Sequence, residues 1–274
     1  MRTQKGNDRL RPFFLEIFAG DEGISRSLRG RGLAAKAFDL RQGIAGDLSR
    51  RAVVRRIVRL LRSGCCRGVW FAPPCTTFSS ARLPPLRSHS RPRGLQVSLL
   101  NEKERQQLRD ANRLIDNTFA LIRVCEEMGI PWALENPMSS MMWKLSELRL
   151  LASQAHVRST SFHMCGFGSP WRKATTIMSS RFIAPERLER KCSRHPQNLC
   201  AFSGCRHVIL KGRDSLGVPW TRRAQSYPKP LCKLCASLLW EAGFSQEFCL
   251  RSRDMGLSSN KPATKIGIAS HSAA

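Results

Sequence analysis

The sequence predicts an α/β fold: a mostly parallel sheet flanked by helices, with a small Cys/His-rich segment near its C-terminal end. Three observations predict it. Short apolar runs stopped by glycine or proline alternate with amphipathic stretches, the order that builds a parallel sheet. The first unit runs strand, glycine turn, helix, strand and acid, the frame of a nucleotide-binding half. Two later apolar runs end beside proline with a reactive side chain, Cys75 in one and Glu135 in the other. Open α/β sheets collect ligands at such strand ends.

Residues 1–12 are basic and without periodicity, which predicts a loose arm. Phe13 to Phe18 reads as the first strand, and Ala19-Gly20-Asp21-Glu22-Gly23 as a tight turn. A helix is expected from Ile24 to Arg31, stopped by Gly32, and a second strand from Leu33 to Asp39. The turn lacks the G-x-G-x-x-G dinucleotide fingerprint, so it is weak evidence alone. Residues 50–63 predict a helix with Val53, Val54, Ile57, Val58, Leu60 and Leu61 on one side and Arg51, Arg55, Arg59 and Arg62 on the other. Ser49 or Asp47 can cap it and Gly64 can close it.

Gly68-Val69-Trp70-Phe71-Ala72 reads as a buried strand that Pro73 and Pro74 end abruptly, since neither can donate to a ladder. Cys75 follows directly, placed as a nucleophile should be; a buried cysteine in a proline turn is the plainer alternative. A long basic loop comes next, containing Arg82, Arg87, Arg91 and Arg93. Asn101 and Glu104 form a capping-box start for a helix from Glu102 to Met128, closed by Gly129. Ile130 to Leu134 is a further strand, delivering Glu135-Asn136-Pro137 at its end. Met138 to Leu151 reads as helix, 160–177 as alternating strand and turn, and Leu231 to Ala242 as a last helix. The polar residues after Arg251 predict disorder.

Forty-six Lys and Arg against twenty Asp and Glu give a formal charge of +26. Such an excess attracts polyanions, and nucleic acid is the usual intracellular one. No apolar run approaches a membrane span, and the N-terminus leads into no signal-peptide core. The expectation is therefore an intracellular protein, nuclear or nucleoid-associated, whose eleven cysteines serve as thiols, metal ligands or a nucleophile.

Taken together, Leu15-Glu16-Ile17-Phe18-Ala19-Gly20-x-x-Gly23, Ala72-Pro73-Pro74-Cys75 and Leu134-Glu135-Asn136-Pro137 resemble the motifs of the C5-cytosine-specific DNA methyltransferase family, in the family's order. Phe167-Gly168-Ser169-Pro170-Trp171-Arg172-Lys173 is similar to that family's later Tyr-Gly-x-Pro-Gln-x-Arg-x-Arg motif, and Ala224 to Leu231 echoes its terminal segment. The resemblance spans Phe13 to Trp240 and is that of a divergent, mobile-element-like member. It implies a Rossmann-like S-adenosylmethionine-dependent methyltransferase sheet over 13–178. Beyond it would lie a Cys/His-rich insertion over 179–223, a helix returning to the core over 224–245 and a tail over 246–274.

By the same resemblance Phe18, Ala19, Gly20, Gly23 and Pro73 would hold the cofactor, and Asp39 its ribose hydroxyls. Asp47 is a candidate adenine contact, although a plain helix cap explains it as well. Cys75 would add to carbon 6 of cytosine, converting carbon 5 into a nucleophilic enamine carbon. Glu135 would hold a proton at ring nitrogen 3, and Arg172 or Lys173 would bind the exocyclic oxygen. The target base must leave its stack to reach the thiol. The loop carrying Arg82, Arg87, Arg91 and Arg93 would close on nucleic acid, DNA rather than RNA.

Departures leave alternatives open. Thr76 stands where the family has Gln, Pro137 where it has Val, Trp171 where it has Gln, and Thr175 where it has its last Arg. Only residues 179–223 remain for target recognition. An RNA cytosine methyltransferase of the tRNA type and a catalytically decayed nucleic-acid-binding relative stay alive beside the DNA enzyme. In the same stretch Cys192, His195, Cys200, Cys205 and His207 have ligand types that suit tetrahedral zinc, four of the five forming a site, or they cluster by chance. Cys232 and Cys235 have metal-like spacing but lie on an apolar helix, where core packing explains them.

Overall fold

The structure, a computed structural model, describes residues 11–193 and 199–245. Most of the N-terminal arm, His195 and the C-terminal tail therefore lie outside the described residues. Among the described residues six strands form one sheet: β1 (Phe13–Ile17), β2 (Ala34–Phe38), β3 (Cys66–Phe71), β4 (Trp132–Pro137), β5 (Val157–His163) and β6 (Ala174–Ser180). Their order is β2-β1-β3-β4-β6-β5. The first four are parallel, and β6 runs antiparallel to both its neighbours. This is a mixed α/β architecture of the expected class.

Among the described residues six α-helices flank the sheet: α1 (Gly23–Arg29), α2 (Arg51–Leu61), α3 (Glu102–Glu127), α4 (Ser146–Ala152), α5 (Trp220–Arg223) and α6 (Lys229–Gly243). Alternate strand residues feed two separate cores, because successive side chains point to opposite faces. Leu15, Val69, Phe71, Trp132 and Leu134 pack with α2, α3 and α4. Phe14, Trp70, Ala133 and Ile177 pack on the other face with α1 and α6. Both faces of the central strands are covered, so β1 is buried at every position rather than alternating.

Local rules account for most helix limits. In α2 the buried residues are Val53, Ile57 and Leu61, one per turn on one stripe. Each such side chain contributes about 1.5–3 kcal/mol on burial, and the arginines of the opposite face stay outside that core. Asn101 Oδ1 accepts from the Glu104 amide at 2.9 Å while Glu104 Oε2 accepts from the Asn101 amide at 3.0 Å, the expected capping box of α3. Gly129, at φ +66°, lets the chain leave that helix. No helix among the described residues is long and apolar enough to cross a membrane.

Two expectations are corrected. Residues 138–151 do not form one helix. Ser140 Oγ caps a short 3-10 turn at Met142, and Leu145 is extended (φ −64°, ψ 139°) before α4 starts. The stretch thus breaks where Leu145 and Leu148 drop into the core. In addition β4 extends to Pro137 because β6 pairs along it, opposing Glu135 with Ile177 and Pro137 with Thr175. Glu135 therefore sits inside a strand rather than beyond it.

The topology positions the site. From β1 the chain passes through α1 to β2 on one side, then through α2 to β3 on the other side of β1. The strand order reverses between β1 and β3, and a crevice opens at their carboxyl ends.

Candidate active site

A cleft of about 1250 Å³ occupies that crevice, lined by the turn after β1, the ends of β2, β3 and β4, and the segment before α6. The turn after β1 is conformationally special. Phe18 (φ +60°) and Glu22 (φ +54°) adopt left-handed backbone, costly for side chains with a Cβ, on either side of Gly20 (φ +53°). Glu16, buried in β1, holds the following helix in place: its carboxylate accepts from the amides of Ile24 (3.2 Å) and Ser25 (2.7 Å). Burial raises the Glu16 pKa, and its hydrogen bonds with Ser25 and Ile24 work against that rise. Gly23 is required by contact, since a Cβ there would lie 2.6 Å from Cys232 Sγ on α6.

Asp39 joins this turn to the next. Its Oδ2 accepts from the Gly20 amide at 2.8 Å and its Oδ1 from the Arg41 amide at 2.9 Å. A Cβ at Gly46 would meet the Asp39 carbonyl oxygen at 2.0 Å, so the loop after β2 folds directly against its own start. Asp47 lines the cleft too, but Oδ1 accepts from the Ser49 amide at 2.9 Å, a local turn ahead of α2. The cap expected for α2 is not made by Asp47 or Ser49: its N-cap is Arg50, which forms no side-chain cap hydrogen bond, so Asp47 is a turn residue at the edge of the cleft.

The opposite wall carries the reactive groups. Pro73, Cys75, Glu135, Asn136 and Lys173 all border the cleft. Asn136 Nδ2 donates to the Pro73 carbonyl at 3.0 Å, tying the end of β3 to β4 and fixing the cysteine loop beside the carboxylate. Glu135 is only 6 % exposed. Its Oε2 accepts from Tyr227 Oη at 2.7 Å, while Oε1 and the neighbouring Asn136 Oδ1 are buried without a protein partner. Unsatisfied buried acceptors are uncommon and call for an explanation; both residues line the cleft. Burial pushes the Cys75 thiol above its ordinary pKa; the charge of Lys173 opposes that shift and Glu135 reinforces it. Lys173 is itself aimed by its ammonium, which donates to the Ala224 carbonyl at 2.9 Å.

Several expected site residues lie elsewhere. Arg172 does not line the cleft; its Nε faces His163 Nδ1 at 3.4 Å, because alternation along the chain turns it away from Lys173. Arg87 is 3 % exposed and cannot present itself to nucleic acid from that position. Its guanidinium lies 3.6 Å from the centroid of the Phe78 ring and donates to Thr77 Oγ1, the Pro92 carbonyl and Asn112 Oδ1. Arg93 pairs with both Asp116 and Glu147, and Arg82 donates to Gln107 Oε1 at 2.9 Å. Arg91 is exposed. The basic loop is thus pinned by three of its four arginines.

In the Cys/His-rich segment the structure gathers Cys192, Cys200 and His207, adds Cys165 and leaves Cys205 exposed. Cys205 is turned out because its carbonyl accepts from the Cys200 amide at 2.8 Å, in a tight reversal that places the two side chains differently.

Sequence reasoning missed three contributors. Tyr227, the chain's single tyrosine, supports Glu135, and Ser226 donates to Asp21 in the turn after β1. Asp21 also pairs with Arg41 at 2.6 Å. The motif echo over residues 224–231 was the available signal for Tyr227 and Ser226; nothing in the sequence marked Asp21.

No protein-family model matches the chain, and no curated protein does. Among solved structures the chain is similar to the Entamoeba histolytica methyltransferase EhMeth, at 12 % identity and TM-score 0.36 over 68 % of this chain and 57 % of that one. It is also similar to the Schizosaccharomyces pombe methyltransferase Dnmt2, at 14 % identity and TM-score 0.36, covering 69 % of this chain and 54 % of that one. A mutant of Spodoptera frugiperda Dnmt2 aligns at 12 % identity and TM-score 0.34, covering 68 % and 55 %. The chain thus spans little more than half the length of these structures.

Proposed function

We propose that this chain is an S-adenosylmethionine-dependent methyltransferase acting on C5 of cytosine in DNA. The observation that carries the reading is the shared wall of the cleft. Cys75 and Glu135 arrive from two adjacent strands and line the same cleft, and Glu135 Oε1 is buried without a protein partner. A carboxyl oxygen in that state suits a hydrogen bond to a ring nitrogen of a bound base.

The residues fit the cofactor on their own geometry. The turn Phe18 to Gly23 lines the cleft in strained backbone, and Asp39, braced by two amides, lines the same space with lone pairs left to accept further bonds. Pro73 and Asp47 complete that lining. When bound, S-adenosylmethionine supplies an electrophilic methyl group. The chain's own groups do the rest. Cys75 adds as thiolate to carbon 6 of the cytosine while Glu135 holds a proton at nitrogen 3, so charge on the ring is met as it develops. Lys173, on the same wall of the cleft, would bind the exocyclic oxygen and favours the thiolate electrostatically. After transfer, loss of the carbon 5 proton and departure of Cys75 restore the aromatic ring. Two nucleophilic and acidic groups this deep in a cleft require an extruded or single-stranded base.

The test uses a cytosine bearing fluorine at carbon 5, which has no proton to lose there, so the adduct persists. Full-length protein with S-adenosylmethionine and fluorocytosine-containing DNA should form a complex stable to denaturant, absent in Cys75→Ser and retained in Cys125→Ser, a buried core thiol. Trapping on tRNA and not on DNA would move the substrate to RNA. Binding without trapping on either would support the decayed, non-catalytic relative instead.

A further inference from the structure

Cys165, Cys192, Cys200 and His207 are all buried, and one ligand atom from each lies within 4.8 Å of every other. In a tetrahedral zinc site, with Zn–S about 2.3 Å and Zn–N about 2.0 Å, ligand atoms stand about 3.5–3.8 Å apart. Cys192 Sγ and His207 Nε2 are 3.7 Å apart already. We infer that these four side chains form a structural zinc site, Cys3His, that docks the segment after β6 onto the β5–β6 connection.

Burial supports the inference independently of distance. From residue 189 to 223, among the described residues, Cys192, Cys200 and His207 are the only buried ones. The segment's described residues bury no aliphatic side chain, and the small cluster they form with Cys165 consists of thiols alone. Short irregular segments that bury this little apolar surface ordinarily need a disulfide or a metal to hold one conformation. A disulfide would use two of the three thiols and leave the third thiol and the imidazole buried beside it. Zinc uses all four.

The surroundings have the features of an outer shell. The Ala201 amide donates to Cys192 Sγ at 3.2 Å, the kind of outer-shell hydrogen bond that orients a metal-bound sulfur. The reversal from Cys200 to Cys205 is closed by two amide–carbonyl bonds of 2.8 Å, Cys200 to Cys205 and Gly204 to Cys200. Backbone contacts already fix the docking: the Arg190 carbonyl accepts from His163 at 2.9 Å, and Val208 donates to Pro170 at 2.8 Å. Gly166 sits where a Cβ would lie 2.6 Å from Arg190 Cβ, so the two layers are in contact beside the ligands. Cys165 belongs to the turn after β5 and the other three ligands to the later segment, so the ion would bridge parts of the chain that share no strand.

The experiment is elemental analysis and X-ray absorption on the full chain, purified under reducing conditions and supplied with zinc alone. About one zinc per chain is expected, in a first shell of three sulfurs and one nitrogen. Cys165→Ser should lose the stoichiometric zinc, whereas Cys205→Ser, altering an exposed thiol, should retain it. Should Cys165→Ser fail to fold, the wild-type shell still decides. Four sulfurs, two sulfurs with two nitrogens, retention of zinc by folded Cys165→Ser, or less than half an equivalent of zinc would each overturn the site. A disulfide between any two of the three cysteines in protein kept reduced would do the same.

Discussion

Tyr227→Phe is the most informative single change, because it deletes one oxygen and little else. The ring remains to pack edge-on against Trp70, at 6.1 Å between centroids. What disappears is the 2.7 Å bond to Glu135 Oε2. Since Oε1 has no protein partner either, the variant leaves a buried carboxyl group without a donor. Such a loss costs about 1 kcal/mol when the bond is neutral and up to about 3 kcal/mol when the acceptor is ionised. For a domain of this size that is about 2–4 °C in Tm per kcal/mol. If Tyr227 also positions Glu135 for chemistry, the same energy enters the barrier, and adduct formation on fluorocytosine DNA should slow about 5- to 160-fold. Thermal unfolding and trapping rates would be measured together, with Glu135→Gln and the double variant completing a cycle. Coupling between the two changes in the rate marks positioning, which a merely structural tyrosine would not produce. The native chain offers a prior check: burial and the adjacent Glu135 hold the phenol well above its usual pKa. With one tyrosine in the chain, phenolate absorbance should stay absent until alkali unfolds the protein. A phenol titrating near 10 in folded protein, or a Phe variant unchanged in both stability and rate, would refute the reasoning.

Two further outcomes follow from the same wall of the cleft. Arg87→Met should free the loop of residues 79–96, because Thr77, the Pro92 carbonyl and Asn112 lose their shared donor; about 1–3 kcal/mol of stability should go, with new tryptic cleavage at Arg82 or Arg93, and an uncut loop would show that the stacking on Phe78 is dispensable. Alkylation of Cys75 in the free protein should rise with pH around a midpoint above that of an ordinary thiol, since burial disfavours the thiolate; Lys173→Met should move the midpoint up and Glu135→Gln down, and a midpoint below the ordinary value would reverse this sign.

The legible parts of the fold were those written in local chemistry. The capping box at Asn101 and Glu104, the stripe of Val53, Ile57 and Leu61, and the proline stop after Phe71 each depend on residues a few positions apart. Glu135 was misplaced by a few residues because its strand is prolonged by pairing with β6, some forty residues later in the chain. Nothing inside Leu134-Glu135-Asn136-Pro137 encodes that partner. The helix expected over 138–151 failed for a related reason: its leucines and methionines fit a helical stripe, yet Leu145 reaches the core in an extended conformation at the break before α4.

Arginine was the residue type that composition explained least. A charge of +26 suggests a surface dressed for polyanions, and the loop after Cys75 looked like its working edge. Three of that loop's four named arginines are engaged within the protein: Arg87 beneath Phe78, Arg93 between two carboxylates and Arg82 on Gln107. A guanidinium has five donors on a flat, weakly hydrated group, so it can be buried against a ring where an ammonium cannot. Those arginines therefore hold the loop against α3 and beside Cys75, which places their contribution in the shape of the cleft. Other cations border the cleft directly, among them Arg26, Arg31, Lys229 and Lys233. They lie on α1, the turn after it and α6, the two helices that Gly23 and Cys232 bring into contact.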